Sequence, residues 1–170
     1  MRAKVKPKHQ TIKDKCLLQR SHFAKWNAQQ KWASFHSAHY DWWAFPIDKP
    51  SSYGSAYQVG KEEHAKLIKD EEFIQALRDN AVFVCRSWGW ELGEGVPIVT
   101  KDGHQKWQDW PVRLYKMTLS LEIFEQHDLL RNAVKYGLSL IEQKKYFVFR
   151  KTDLALFFTE RHCLLKKQEE

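Results

Sequence analysis

Residues 40–57 constrain this chain more than any other stretch. They read Tyr-Asp-Trp-Trp-Ala-Phe-Pro-Ile-Asp-Lys-Pro-Ser-Ser-Tyr-Gly-Ser-Ala-Tyr, with Trp42, Trp43, Phe45 and three tyrosines interrupted by Pro46, Pro50 and Gly54. Each proline removes a backbone donor and disfavours helix at the residue before it. The aromatics are therefore expected on an irregular loop. Rings this large must find cover. Two readings follow: the loop plugs the end of a helical core, or it floors a binding groove.

The rest of the pattern is helical. Residues 11–35 lack Gly and Pro and are rich in Gln, Lys, Ala and Leu, which favours a helix. Gly60 opens a short helix, with Glu63 at capping-box spacing. Asp70 is placed to cap the next helix, in which Ile74, Leu77, Ala81, Val84, Cys85 and Trp88 share a face and Gly89 supplies the stop. A short strand is expected near 96–100. Trp110-Pro111 reads as a helix start, followed by the stripe Trp110, Leu114, Met117, Leu121, Phe124. A further helix begins near Asp128, and its Gly137 marks a close helix crossing. Residues 146–149 are ambiguous between strand and loop, and the last helix starts at Thr152 or Asp153. The expected fold is all-α: a single globular bundle of five or six helices, with a long aromatic loop and a basic N-terminal extension. The expected division places the partly helical extension at 1–36 and the helical domain at 37–170.

Charge separates these parts. The chain of 170 residues has a net charge of +7. Residues 1–36 hold nine Lys or Arg against one acid, 9 − 1 = +8, and the remainder holds 19 against 20, −1. A basic arm suits phosphate backbones, anionic membranes or acidic proteins. It is acid-poor like a transit peptide, but rich in Lys rather than Arg. Lys4, Lys6, Lys8, Lys13, Lys15, Arg20, Lys25 and Lys31 could meet phosphates while Trp26 and Trp32 stack on bases. Docking of those tryptophans on the domain is the competing reading.

No apolar run approaches the ~20 residues that span a membrane, and no secretory h-region precedes the first helix. Cys16, Cys85 and Cys163 form no CxxC pair, so a reduced, intracellular setting, cytoplasmic or nuclear, is expected.

From Trp43 onward the order of features resembles the conserved region of opioid growth factor receptors. The matching pieces are Trp43-Ala-Phe-Pro-Ile47, Glu62 to Asp70, Glu72 to Trp88, and Arg113-Leu-Tyr-Lys-Met117, within residues 40–142. The resemblance implies a helical interaction module without catalytic residues. The family's long extended segment before the turn has no counterpart in residues 1–36.

Candidate chemistry is sparse. His36 and His39 have i, i+3 spacing, which Asp41 or His22 could complete as a metal site; exposed histidines at a helix end explain the pair equally. Asp41, Asp48, Arg86, Glu91, Asp109 and Arg113 lie beside tryptophans and could line an acidic–aromatic enzyme pocket, or serve as caps and salt bridges. No nucleophile elbow, HExxH, P-loop or GxGxxG motif is present, and nothing points to a cofactor. The leading expectation is a non-catalytic binding or adaptor module. Its surface would be formed by Trp42, Trp43, Phe45, Arg86, Trp90, Trp107, Trp110 and Arg113 and would take a protein segment or small ligand. Nucleic-acid binding by the arm is the alternative.

Overall fold

The computed structural model describes residues 2–170. It contains eight helices among the described residues: α1 (Lys8–Ala28), α2 (Trp32–Ser37), α3 (Asp41–Ala44), α4 (Lys61–Leu67), α5 (Glu71–Trp88), α6 (Pro111–Ile123), α7 (His127–Glu142) and α8 (Ala155–Glu169). Two two-stranded antiparallel ribbons complete it: β1 (Trp90–Glu91) with β2 (Val96–Pro97), and β3 (Val148–Phe149) with β4 (Thr152–Asp153). No helix among the described residues is long and apolar enough to cross a membrane.

The fold is helical as expected, with α2 and α3 as additional short elements. The helix expected over 11–35 breaks after Ala28, where Gln30 takes φ 51° and the chain turns into α2. Local signals explain the longer helices. Asp70 accepts a hydrogen bond from the Phe73 amide at 3.1 Å, and Gly89 ends α5 at φ 88°. Pro111 opens α6, and Leu114, Met117, Leu121 and Phe124 are fully buried. A Cβ on Gly137 would overlap the Phe158 ring, so this glycine permits the α7–α8 crossing. The last helix begins at Ala155, with Asp153 accepting from its amide at 3.0 Å.

Helix α1 packs on α5, α4 and α3, while α6 packs on α7 and α7 on α8. Ile12, Cys16 and Phe23 of α1 are fully buried in the same core as Leu77 and Val84 of α5 and Leu114 of α6. The core thus has no break at residue 36; among the described residues, 2–7 precede the first helix. The basic flank of α1 also faces acids of the following helices. Lys8 meets Glu63 at 3.7 Å, Lys13 meets Asp70 at 2.8 Å and Glu72 at 3.1 Å, and Arg20 meets Asp79 at 3.8 Å. Lys6 pairs with Asp14 within the same segment.

The aromatic stretch is partly core and partly surface. Tyr40, Ala44 and Phe45 are buried, and Ser120 of α6 donates to the Pro46 carbonyl at 2.8 Å. Trp42 and Trp43 sit on the single turn α3 rather than on a loop. They form an outer layer with Tyr53 and Tyr57.

Candidate functional site

The eight residues expected to share one surface separate into five environments. Arg113 and Phe45 are buried at 3% and 0% exposure. Trp42 and Trp110 line one cleft, of about 610 Å³. Trp90 and Trp107 line another, of about 720 Å³. Trp43 turns instead toward α1, where its indole N–H donates to Gln19 at 2.9 Å and Lys15 lies 4.8 Å from its ring. Arg86 pairs with Glu91 at 3.2 Å and lines neither cleft.

The first cleft is built over Arg113. This guanidinium enters from the first turn of α6 and donates from Nη1 to the Phe35 carbonyl at 3.1 Å and from Nη2 to the Ala38 carbonyl. Its Nε lies 3.2 Å from Asp41 Oδ1, too bent for a hydrogen bond, so the contact is an ion pair. It also stacks between Tyr40 and Trp110, 4.6 and 4.9 Å from the ring centres. Arg113 therefore staples α6 to the α2–α3 connection from beneath the cleft. Burial pushes the Asp41 carboxyl above its ordinary value, and Arg113 opposes that push.

Above this floor are Lys116, Arg150, His39 and Trp110. Lys116 lies over the Trp42 ring at 4.9 Å. Burial lowers its pKa, and the nearby Arg150 charge lowers it further, against the pull of Asp41. Arg150 occupies the first position of the two-residue β3–β4 turn at φ 55°, a conformation that favours glycine. Neither cation is in an ion pair among the described residues. Trp110, placed by sequence at the head of the buried α6 stripe, is 42% exposed instead. It precedes the helix with φ −119° and ψ 75°, so its ring leaves the line of the stripe.

The second cleft lies between the 88–107 segment and α7. Trp90 stacks on Tyr136 at 4.9 Å, and Trp107 stacks on Phe147 at 6.1 Å while meeting Trp88 edge-on. Lys106, Lys135 and Lys145 are exposed along it and form no ion pair among the described residues. The indole N–H groups of Trp42, Trp90 and Trp107 are buried with no partner. A buried donor left without an acceptor costs about 1–3 kcal/mol.

Each cleft is lined by one carboxylate, Asp41 in the first and Glu142 in the second. Neither holds the convergent pair that hydrolytic acid–base work needs. The two histidines diverge: His36 Nε2 meets the His104 carbonyl at 2.6 Å, while exposed His39 contacts Trp110. Among the described residues no group of three or more His, Cys, Asp or Glu is placed to hold a metal. Burial raises the Cys16 thiol to about 12 and also raises Cys85. In the N-terminal set, Trp32 is 6% exposed and Trp26 packs edge-on against Phe35 at 5.5 Å. Sequence reasoning missed Lys106, Lys116, Lys135, Lys145 and Arg150. Lys116 adjoins the buried Met117 position of α6, and that adjacency is the one signal that could have found it.

Comparison with protein-family models, with curated proteins and with solved structures returned no match.

Proposed function

We propose that the chain is a non-catalytic binding module whose ligand carries negative charge beside a flat apolar group. One observation carries this reading. Five cations, Lys106, Lys116, Lys135, Lys145 and Arg150, line two aromatic clefts without forming ion pairs among the described residues. Both volumes fall in the range of about 300–1,000 Å³ usual for ligand sites. Cations on aromatic walls suit an anion joined to a ring: the charge meets Lys and Arg while the ring meets indole faces. The resemblance to the opioid growth factor receptor region, an interaction module, supports the same reading.

The test follows the eight tryptophan indole N–H signals by NMR during titration with naphthalene-2-sulfonate. The neutral naphthalene-2-sulfonamide serves as control. Signals of Trp42 and Trp110, or of Trp90 and Trp107, should move with the sulfonate and move much less with the sulfonamide. Equal response to both compounds, or response confined to Trp26, Trp32 and Trp43, would count against the reading.

A further inference from the structure

We infer that the two clefts are halves of one continuous site, and that its partner is single-stranded nucleic acid. The inference rests on the binding-module reading and adds the partner's chemistry. Two short segments join the clefts. Residues 106–112 carry Lys106 and Trp107 into the second cleft and Trp110 into the first. Residues 145–150 carry Lys145 into the second and Arg150 into the first. Trp110 is three positions after Trp107. At about 3.6 Å per residue, their Cα atoms lie no more than about 11 Å apart. Cations and rings therefore alternate across one junction, and neighbouring units of a single strand could occupy both sides.

Single strands fit better than the other anionic polymers. Their bases are free to lie on aromatic faces while the phosphates follow a basic groove. Trp110 offers such a face, at 42% exposure. A duplex keeps its bases stacked on one another and has none to offer. An acidic peptide would satisfy the lysines but would bring no planar group to Trp110. The cations of α1 are a poorer receptor for this partner: Lys8, Lys13 and Arg20 already face carboxylates and Lys15 lies against the Trp43 ring, which leaves Lys25 alone.

The test uses the full chain and a fluorescein-labelled oligothymidylate of about ten nucleotides, inside the ~4–16 that one small domain covers. Anisotropy is read at several salt concentrations. Two variants separate the contributions: Trp110→Ala, and the triple Lys106→Gln, Lys145→Gln, Arg150→Gln. All four positions are exposed, so each variant should fold, which circular dichroism verifies. The strand should bind with salt-dependent affinity. Trp110→Ala should weaken binding about five- to hundredfold and leave the salt slope unchanged, as loss of one base stack does. The triple variant should flatten the slope by about two, at about 0.7 per lost phosphate contact. No binding, indifference to both variants, or equal affinity for a duplex would overturn the inference. So would polyglutamate binding as tightly and without dependence on Trp110. If the strand fails while naphthalene-2-sulfonate still shifts Trp107 and Trp110, the partner is wrong and the binding module stands. If both probes fail, both readings fall.

Discussion

The flank of α1 and the rims of the two clefts are both rich in Lys and Arg, yet their charges meet different surroundings. On α1, Lys8, Lys13 and Arg20 lie against Glu63, Asp70, Glu72 and Asp79. Those acids belong to residues 61–80, which hold six acids against four basic residues. In the clefts, Lys106, Lys116, Lys135, Lys145 and Arg150 have no carboxylate partner among the described residues. Part of a strongly basic segment can thus dock on its own domain, while isolated cations in a neutral body stay unpaired. The sign of the charge is the same in both places; the facing surface sets its role.

The comparison depends first on the frame beneath the open cations. Replacing Arg113 by Met leaves Asp41 buried without its partner, and should cost about 3–5 kcal/mol. The thermal midpoint would fall by roughly 10 °C, from ~2–4 °C per kcal/mol for a chain of this size. The double variant Asp41→Asn, Arg113→Met should recover part of that loss, since no unpaired charge then remains. Full stability in the single variant would show that the clefts do not rest on this pair.

Smaller effects sharpen the picture. Gly137→Ala forces a methyl into Phe158 and should destabilise by about 1–3 kcal/mol, despite alanine's better helix propensity. Trp43→Phe removes the donor that Gln19 accepts from, and should cost about 0.5–1.5 kcal/mol in urea unfolding. Trp42→Phe removes a buried indole N–H with no partner, a relief that offsets the packing lost with the smaller ring, so it should cost less than Trp43→Phe. Equal losses at the two positions would erase the distinction between the tryptophan that secures α1 and the one that lines a cleft. The thiols probe the core without altering it. In the native protein a thiol-specific reagent should label exposed Cys163 alone, with buried Cys16 and Cys85 reacting after denaturation. Early labelling of Cys16 would mean that α1 leaves the core readily.

Much of the helical frame was legible because its signals are local. Asp70 and Gly89 bracket α5, Pro111 opens α6, and Gly137 marks a crossing; each acts within a few residues of its own position. The proposed binding surface was less legible because it is assembled from distant segments. Trp42, Trp90, Trp107 and Trp110 looked like one group along the chain, but α3 and the residue before α6 carry Trp42 and Trp110 to one cleft, and the 88–107 segment carries the other two to a second. Arg113 read as a surface anchor because arginine usually is one. The Phe35 and Ala38 carbonyls that bury it lie more than seventy residues away. Part of the N-terminal surplus meets acids that lie far along the chain: Lys8, Lys13 and Arg20 face Glu63, Asp70, Glu72 and Asp79.

The most direct test exchanges charge in the two regions and reads stability and binding together. One variant carries Lys8→Gln, Lys13→Gln and Arg20→Gln; the other carries Lys116→Gln, Lys145→Gln and Arg150→Gln. The account predicts that the α1 variant loses about 1–3 kcal/mol in urea unfolding, from ~0.2–1 per pair. It should bind naphthalene-2-sulfonate within about twofold of the parent, a change of only ~0.4 kcal/mol. The cleft variant should keep its stability within about 0.5 kcal/mol and bind at least about tenfold more weakly, ~1.4 kcal/mol. The reverse pattern, with binding lost from the α1 variant and retained in the cleft variant, would contradict the account.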